Sequence, residues 1–274
     1  MLTGTGIWSA DLRYAEPAAI AEAAAELEAL SYSALWIPDP GGDVFGALDL
    51  LLEATATVTL ATGILNIWRQ TPEATNTWWS ALPSADQDRT LLGLGVSHGP
   101  MIGEEWSHPL AAMRAFLDAL AVPTEHLCIA ALGPKMLELA HDRTAGTHPY
   151  LVTPEHTARA RQAVGLDGLV APEQGVVLET DADTARQVAR QMLGGYAALP
   201  NYVNNWKRLG FTDDDVASLS DGLVDALIAW GDVDDIAARV DEHRAAGADH
   251  VCLQVLQAPG SPMPHAAWEA LAGV

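Results

Sequence analysis

The chain has 274 residues, 49% of them hydrophobic, which is enough to bury a large core within a single domain spanning 1–274. Its 14 Lys and Arg face 36 Asp and Glu, a formal net charge of -22, so its field repels polyanions and anionic membrane surfaces and argues against nucleic-acid or membrane partners. No apolar run approaches the roughly 20 residues a bilayer requires, and MLTGTGIWSADLR lacks the order of a secretion signal. Cys128 and Cys252 sit in the apolar runs HLCIAAL and HVCLQVL without metal-site spacing; they read as small buried hydrophobes in a protein of the reducing cytoplasm.

Along the chain, short β-branched runs alternate with alanine-rich amphipathic runs, the pattern of βαβ units and a parallel sheet. Eight strands are predicted, near Thr5 to Ser9, Ala34 to Pro38, Thr59 to Leu65, Thr90 to Ser97, Leu127 to Gly133, His148 to Val152, Val176 to Glu179 and His250 to Leu256. Between them AEPAAIAEAAAELEAL, FGALDLLLEATAT, HPLAAMRAFLDAL, PKMLELAHDR, TPEHTARARQAVG and VDDIAARVDEHRAAG carry apolar residues at helical spacing, with Thr153-Pro154-Glu155 and Asp181 as helix starts. Eight strand-helix pairs favour a closed (β/α)8 TIM barrel, which leaves no sheet edge. The interval between the seventh and eighth strands is too long for a simple crossover. Its extra helical material belongs over the barrel top or at a subunit interface.

In such a barrel the reacting groups stand at the C-terminal ends of the strands. Those ends carry Trp8-Ser9, Asp39, Thr62-Gly63-Ile64 with Asn66, Val96-Ser97-His98, Gly133-Pro134-Lys135, and His148 with Tyr150. AALGPKMLELA runs a strand into Gly-Pro and then a helix, whose free first amides and positive dipole end suit an anion. Lys135, one of only two lysines, adds a point charge there; the plainer reading is a turn with a solvated lysine. His98 titrates in the range proton transfer needs, although a lone loop histidine is more often idle. Asp39 either bonds a ligand or closes a turn in DPGGD. His148 and Tyr150, separated by Pro149, share one face, which lines either a pocket or the outer packing. Of nine tryptophans, Trp8 and Trp68 lie where they would wall a planar ring, and Trp36, Trp230 and Trp268 read as core. The pair Trp78-Trp79 covers either a barrel mouth or a partner subunit. Metalloprotease, zinc-site, P-loop and G-x-S-x-G motifs are missing, and GLGVS is only half a dinucleotide fingerprint.

The stretches GIWS, ALWIPD, ATGILNIW, LLGLGVSH, PLAAMRAFLDAL, AALGPKMLELA, HPYLVTPEHTARAR, APEQGVVLETD, LPNYVNNWKRLGF, LVDALIAWGDVDDIAARV and GADHVCLQVL follow one another along nearly the whole chain. Together they resemble the luciferase-like, coenzyme F420-dependent oxidoreductases, especially an actinobacterial-type subfamily. That resemblance implies a barrel holding a deazaflavin inside its rim, and hydride transfer at the ring carbon C5. Relatives that act on a sugar phosphate hold it with lysines and an arginine that have no equivalents here, where Tyr150 and apolar neighbours stand, so a small, neutral substrate is expected. The resemblance also implies a cofactor contact at Asp39, a non-prolyl cis peptide at Gly63-Ile64 propping the ring from behind, and a phosphate loop at Ala130, Ala131, Leu132, Gly133, Pro134, Lys135 and Met136. Thr62, Asn66, Val96 and Ser97 complete the expected cofactor contacts. His98 and Trp8 are the expected catalytic pair, with His98 standing where some relatives have a glutamate, and His148 and Tyr150 are expected at the substrate. A homodimer is implied by the same analogy. An FMN-dependent monooxygenase and a non-catalytic flavin- or deazaflavin-binding barrel are the alternative readings of the same fold.

Overall fold

A computed structural model describes residues 2–274. Ten parallel strands, β1 Gly4–Trp8, β2 Ala34–Ile37, β3 Thr59–Asn66, β4 Thr90–Gly95, β5 Leu127–Ile129, β6 Gly146–Thr147, β7 Leu169–Val170, β8 Glu173–Leu178, β9 Ile228–Gly231 and β10 His250–Val255, form one sheet. Their order is β7-β6-β5-β4-β3-β2-β1-β10-β8-β9.

The ring closes through the run from Leu169 to Leu178, of which β7 and β8 are two halves. On one side Ala171 N–H donates to Thr147 and Glu173 N–H to Pro149; on the other Asp249 N–H donates to Val170 and Cys252 N–H to Pro172. This run is the seventh of eight barrel strands, and β10 is the eighth. The seventh strand therefore begins earlier than the expected Val176 to Glu179.

The sixth strand differs from expectation. Its regular ladder ends at Thr147; His148 N–H and the Pro149 carbonyl still bond Ile129 and Glu173, and residues 150–152 leave the sheet as a rim loop. Pro149 has no N–H for a ladder, and Leu151 takes a left-handed φ of 53°. Because β6 is so short, the far edge of β8 beyond Glu173 lacks a sixth-strand neighbour. β9, from a segment read as helical, fills that edge, pairing Gly175 with Ile228 through Leu178 with Gly231. Its residues Ile228 and Ala229 are apolar, and Trp230 has its one polar group, the indole N–H, donated to Asp225, so none opposes insertion against a buried edge.

Helices cover the outside. Pro17–Ala29, Val44–Ala54, Pro109–Ala119, Pro134–Arg143, Pro154–Val164 and Val233–Ala245 follow the predicted runs. Thr153 and Asp181 cap as expected, accepting from His156 N–H and Thr184 N–H. A further helix, Pro72–Ala81, carries the tryptophan pair into this outer layer. Trp79 is buried in the core, and Trp78 stacks on Phe45 and donates to Asp49.

Two cores flank the strands. The main one lies between sheet and helices, around Ile7, Leu35, Leu60, Leu92, Ile129 and Val251. Inside the barrel, Trp36, Leu91, Leu169 and small residues pack with Cys128 and Cys252, both buried free thiols. A third cluster seats the excursion between β8 and β10 on the barrel top: Leu151 and Val177 pack with Leu193, Tyr202, Trp206 and Leu223. The excursion thus roofs one side of the strand ends.

Candidate active site at the barrel rim

A cavity of about 490 Å³ opens where the strands end. That size lies within the roughly 300 to 1,000 Å³ of small-molecule sites. Its lining includes Trp8, Asp39, Gly63, Ile64, Asn66, Val96, Ser97, His98, Ala130, Leu132, His148 and Tyr150 from the predicted set. Thr62, Ala131, Gly133, Pro134, Lys135 and Met136 lie outside that lining. Thr62 turns its hydroxyl onto the Gly93 carbonyl at 2.9 Å, and Ala131 is wholly buried in the core.

The floor is the end of β3. The Gly63-Ile64 peptide is cis, and the register with β4 slips between Gly63 and Leu65, so the chain bulges toward the cavity. Two glycines make the bulge possible. A Cβ on Gly63 would stand 2.7 Å from the Trp8 indole nitrogen and 2.8 Å from His148 Nε2, and one on Gly95 would stand 2.4 Å from the Ile64 side chain. The bulge is held from both sides, by Trp8 Nε1–H donating to the Gly63 carbonyl at 2.7 Å and by Asp39 N–H donating to the Ile64 carbonyl at 3.1 Å.

Asp39 stands at one edge, almost fully buried. Its Oδ2 accepts from Asn66 N–H and Gln70 Nε2, both at 3.2 Å, while Oδ1 is buried without a partner. Burial pushes its carboxyl up, against those donors and the nearby Arg13 and Arg69. At the opposite edge the Val96 carbonyl accepts from two indoles, Trp68 at 2.7 Å and Trp106 at 2.9 Å. These fix the turn through Ser97, left-handed at φ 49°, that presents His98.

His98 is half-buried, with Nδ1 3.1 Å from Asn201 Oδ1 and its ring 5.2 Å from that of Tyr202. An amide oxygen only accepts, so Nδ1 carries the proton and Nε2 keeps its lone pair. Burial lowers the ring below its usual value of 6.5, more than the Asn201 bond raises it, so the neutral form prevails at pH 7. His148 is deeper. Nδ1 donates to the Ala171 carbonyl at 2.7 Å, the ring stacks on Trp36 at 4.0 Å, and burial lowers it to about 4.

Tyr150 closes the wall beside Trp8, with ring centroids 5.8 Å apart, and its hydroxyl donates to Gln254 at 2.8 Å. Asn201, Tyr196 and Tyr202, none of which was singled out from sequence, also line the cavity; all three come from the excursion. Their signal was the aromatic and amide content of GGYAALPNYVNNW, in a segment already expected over the barrel top.

Gly133 precedes the helix Pro134–Arg143, and nothing lies within 4 Å of where its Cβ would stand. Arg208, also not singled out from sequence, donates to the Leu132 carbonyl at 3.2 Å, and Arg159 in turn donates to the Arg208 carbonyl at 3.0 Å. Lys135, Arg159 and Arg208 thus gather around this turn in a chain of net charge -22. Among the described residues no cluster of side chains has metal-ligating composition, and no helix is long and apolar enough to cross a membrane.

The parallel barrel thus carries an apolar, aromatic-walled cavity at its rim, with a histidine at its edge. Residues 1–122 match the family model of the luciferase-like monooxygenases. The chain is 24% identical to a 5,10-methylenetetrahydromethanopterin reductase of Archaeoglobus fulgidus, over 79% of this chain and 83% of that protein. Its fold resembles a coenzyme F420-dependent tetrahydromethanopterin reductase from Methanopyrus kandleri, with a TM-score of 0.74, 17% identity and coverage of 99% of this chain and 97% of that one. It also resembles an F420-dependent secondary alcohol dehydrogenase, with a TM-score of 0.72, 16% identity and coverage of 99% and 98%. Residues 1–122 thus resemble that family, and the whole chain shares its fold with these two enzymes.

Proposed function

We propose that this protein is a coenzyme F420-dependent oxidoreductase acting on a small, neutral organic substrate. One observation carries the reading. The Gly63-Ile64 bulge, backed by Trp8 and His148 and levelled by Gly95, makes a smooth apolar floor with Asp39 on one side and His98 on the other. The named activities of the relatives agree with it.

The residues fit a deazaflavin. Ile64, Gly63 and Gly95 would lie against the ring, and Asp39 and Asn66 would meet its polar edge. The turn from Leu132 to Lys135, with Arg208, would hold the anionic tail where the helix dipole adds to their charge. When bound, the cofactor supplies or takes up a hydride at C5. The chain's own part is orientation, exclusion of water and movement of one proton. His98 Nε2 takes a proton from a substrate hydroxyl as that carbon is oxidised, and returns it to the oxygen in the reverse direction, with Asn201 holding the ring. Trp8, Tyr150 and Tyr202 wall the substrate side with apolar faces, which suits an uncharged molecule. We propose a homodimer and a cytoplasmic location alongside this activity.

Equilibrium titration with F420 and with FMN, followed by hydride-transfer assays on ketones, secondary alcohols and enones, tests the reading. Micromolar or tighter F420 binding with turnover is expected. Tight FMN binding with oxygen consumption would replace the proposal with a monooxygenase, and binding without turnover would leave a non-catalytic barrel.

A further inference from the structure

Glu173, the first residue of β8, is fully buried and takes no part in the proton step described above. Its Oε2 accepts from Leu151 N–H at 3.0 Å, and its Oε1 has no partner. Leu151 is in the left-handed region, at φ 53°, which L side chains other than Asn and Asp rarely enter. Its carbonyl is also held, accepting from the Trp206 indole at 3.2 Å. Both backbone groups of this strained residue are therefore fixed by buried side chains. One residue earlier stands Tyr150, whose hydroxyl bonds Gln254 and lies 3.4 Å from that of Tyr196. The Tyr202 ring meets Tyr196 edge-on at 5.0 Å and Tyr150 at 6.3 Å.

We propose that Glu173 is a positioning residue for substrate: its carboxyl pins the left-handed turn at Leu151 and thereby aims Tyr150 into the aromatic wall of the cavity. An uncharged acid suits the place. Sealed in the barrel with a single N–H donor, a carboxylate would be left with unmet hydrogen-bonding capacity and would draw in water or the tyrosine hydroxyls. Burial pushes this carboxyl up to about 8, the Leu151 N–H being the one group that opposes the rise. The other titratable groups around it stay silent near that pH. Tyr150 and Tyr202 are raised well above 10, as is Tyr196 above its usual value; the Cys252 thiol on β10 is raised well above 9; and His148 stays neutral, at about 4. As pH rises through about 8, Glu173 ionises; its bond to Leu151 N–H persists, an anionic oxygen being the stronger acceptor, but the new buried charge draws water or the Tyr150 and Tyr196 hydroxyls toward it and disturbs the wall.

The inference rests on the proposed function only for what the wall holds, so its test has two arms. Near-ultraviolet circular dichroism of wild type, Glu173→Gln and Glu173→Ala is followed between about pH 6 and pH 9.5. The same range is covered by hydride-transfer kinetics with F420. Wild type should show a dichroism transition centred near pH 8 that Glu173→Gln lacks. Its KM should rise about fivefold or more from pH 7 to pH 9 with kcat changed less than about twofold, whereas the Gln variant keeps a flat KM. Glu173→Ala should show the loosened wall throughout. The same transition in wild type and Glu173→Gln would overturn the proposal, as would a Glu173→Ala protein with wild-type spectrum and KM. Should the Ala variant not fold, the wild-type and Gln comparison decides alone. Should F420 not bind wild type, the functional reading fails and the dichroism arm still decides Glu173.

Discussion

At the scale of single residues, the site depends on a few atoms whose neighbours leave them no alternative. His98 is neutral because burial outweighs its one hydrogen bond, and its tautomer follows from the Asn201 oxygen. A neutral ring with a free Nε2 accepts a proton, so activity in the oxidising direction should fall as pH drops through a value below 6.5. His98→Ala should lower kcat about 100-fold or more while leaving F420 affinity within about twofold, measured by steady-state kinetics and titration. Full turnover in the variant would remove His98 from the proton step. Asp39, Gly63, Ile64 and His98 were legible in sequence because strand ends in a barrel converge. Asn201, Tyr196 and Tyr202 were not, because nothing in their local spacing says which strand ends the excursion will cover.

At the scale of elements, the most instructive region is the seventh strand and what braces it. The run from Leu169 to Leu178 has three partners in succession: β6 on one edge early, β9 on that edge late, and β10 along the other. Arg161 ties the helix Pro154–Val164 to its start. The guanidinium bonds the Gly247, Gly165 and Gly168 carbonyls and pairs with Asp249, which itself accepts from Val170 N–H. Removing it leaves three carbonyls and a carboxylate unpaired in a largely sequestered place. Arg161→Met should therefore destabilise the fold by about 2 to 4 kcal/mol, read from denaturant unfolding. A loss under about 0.5 kcal/mol would mean that water replaces these bonds freely. Helix periodicity was plain in sequence throughout this region. The two-residue β6 and β7 were not, since a strand so short has no period, and β9 was hidden because LIAW reads equally as the end of a helix.

For the whole molecule, charge and buried titratable groups set the pH range of stability. His148, His156, His243 and His250 are held neutral by burial, at about 4, 4, 3 and 3. His250 Nε2 must stay unprotonated to accept from the Trp36 indole at 3.1 Å. The unfolded chain takes up these protons near pH 6.5 and the folded chain does not, so stability falls as pH drops from about 6.5 toward 4. Glu173 acts with the opposite sign. Its folded value of about 8 exceeds the unfolded one, so the stability it gives is full below about pH 4.5 and is lost as pH rises to 8. Self-repulsion in a chain of formal charge -22 adds to the loss at high pH. Calorimetry from about pH 4 to pH 9 should place the highest Tm between about pH 6 and pH 7. A Tm that keeps rising from pH 7 to pH 9 would contradict this balance.

The sequence by itself determined the alternation of strands and helices, the closed parallel barrel, and the convergence of strand ends on one rim, because hydrophobic periodicity and barrel closure are local and topological rules. It also marked Asp39, Gly63, His98, His148 and Tyr150 as rim residues. Only the tertiary structure decided where the excursion folds back, and with it the tyrosine wall, the Asn201 partner of His98 and the Arg208 beside the helix start. It alone decided that Glu173, one more polar residue in APEQGVVLETD, is sealed in the barrel and bonded to a residue 22 positions away. The physical reason is the same in each case. Such contacts join segments far apart in the chain, and their strength comes from burial, which no local pattern of residues encodes.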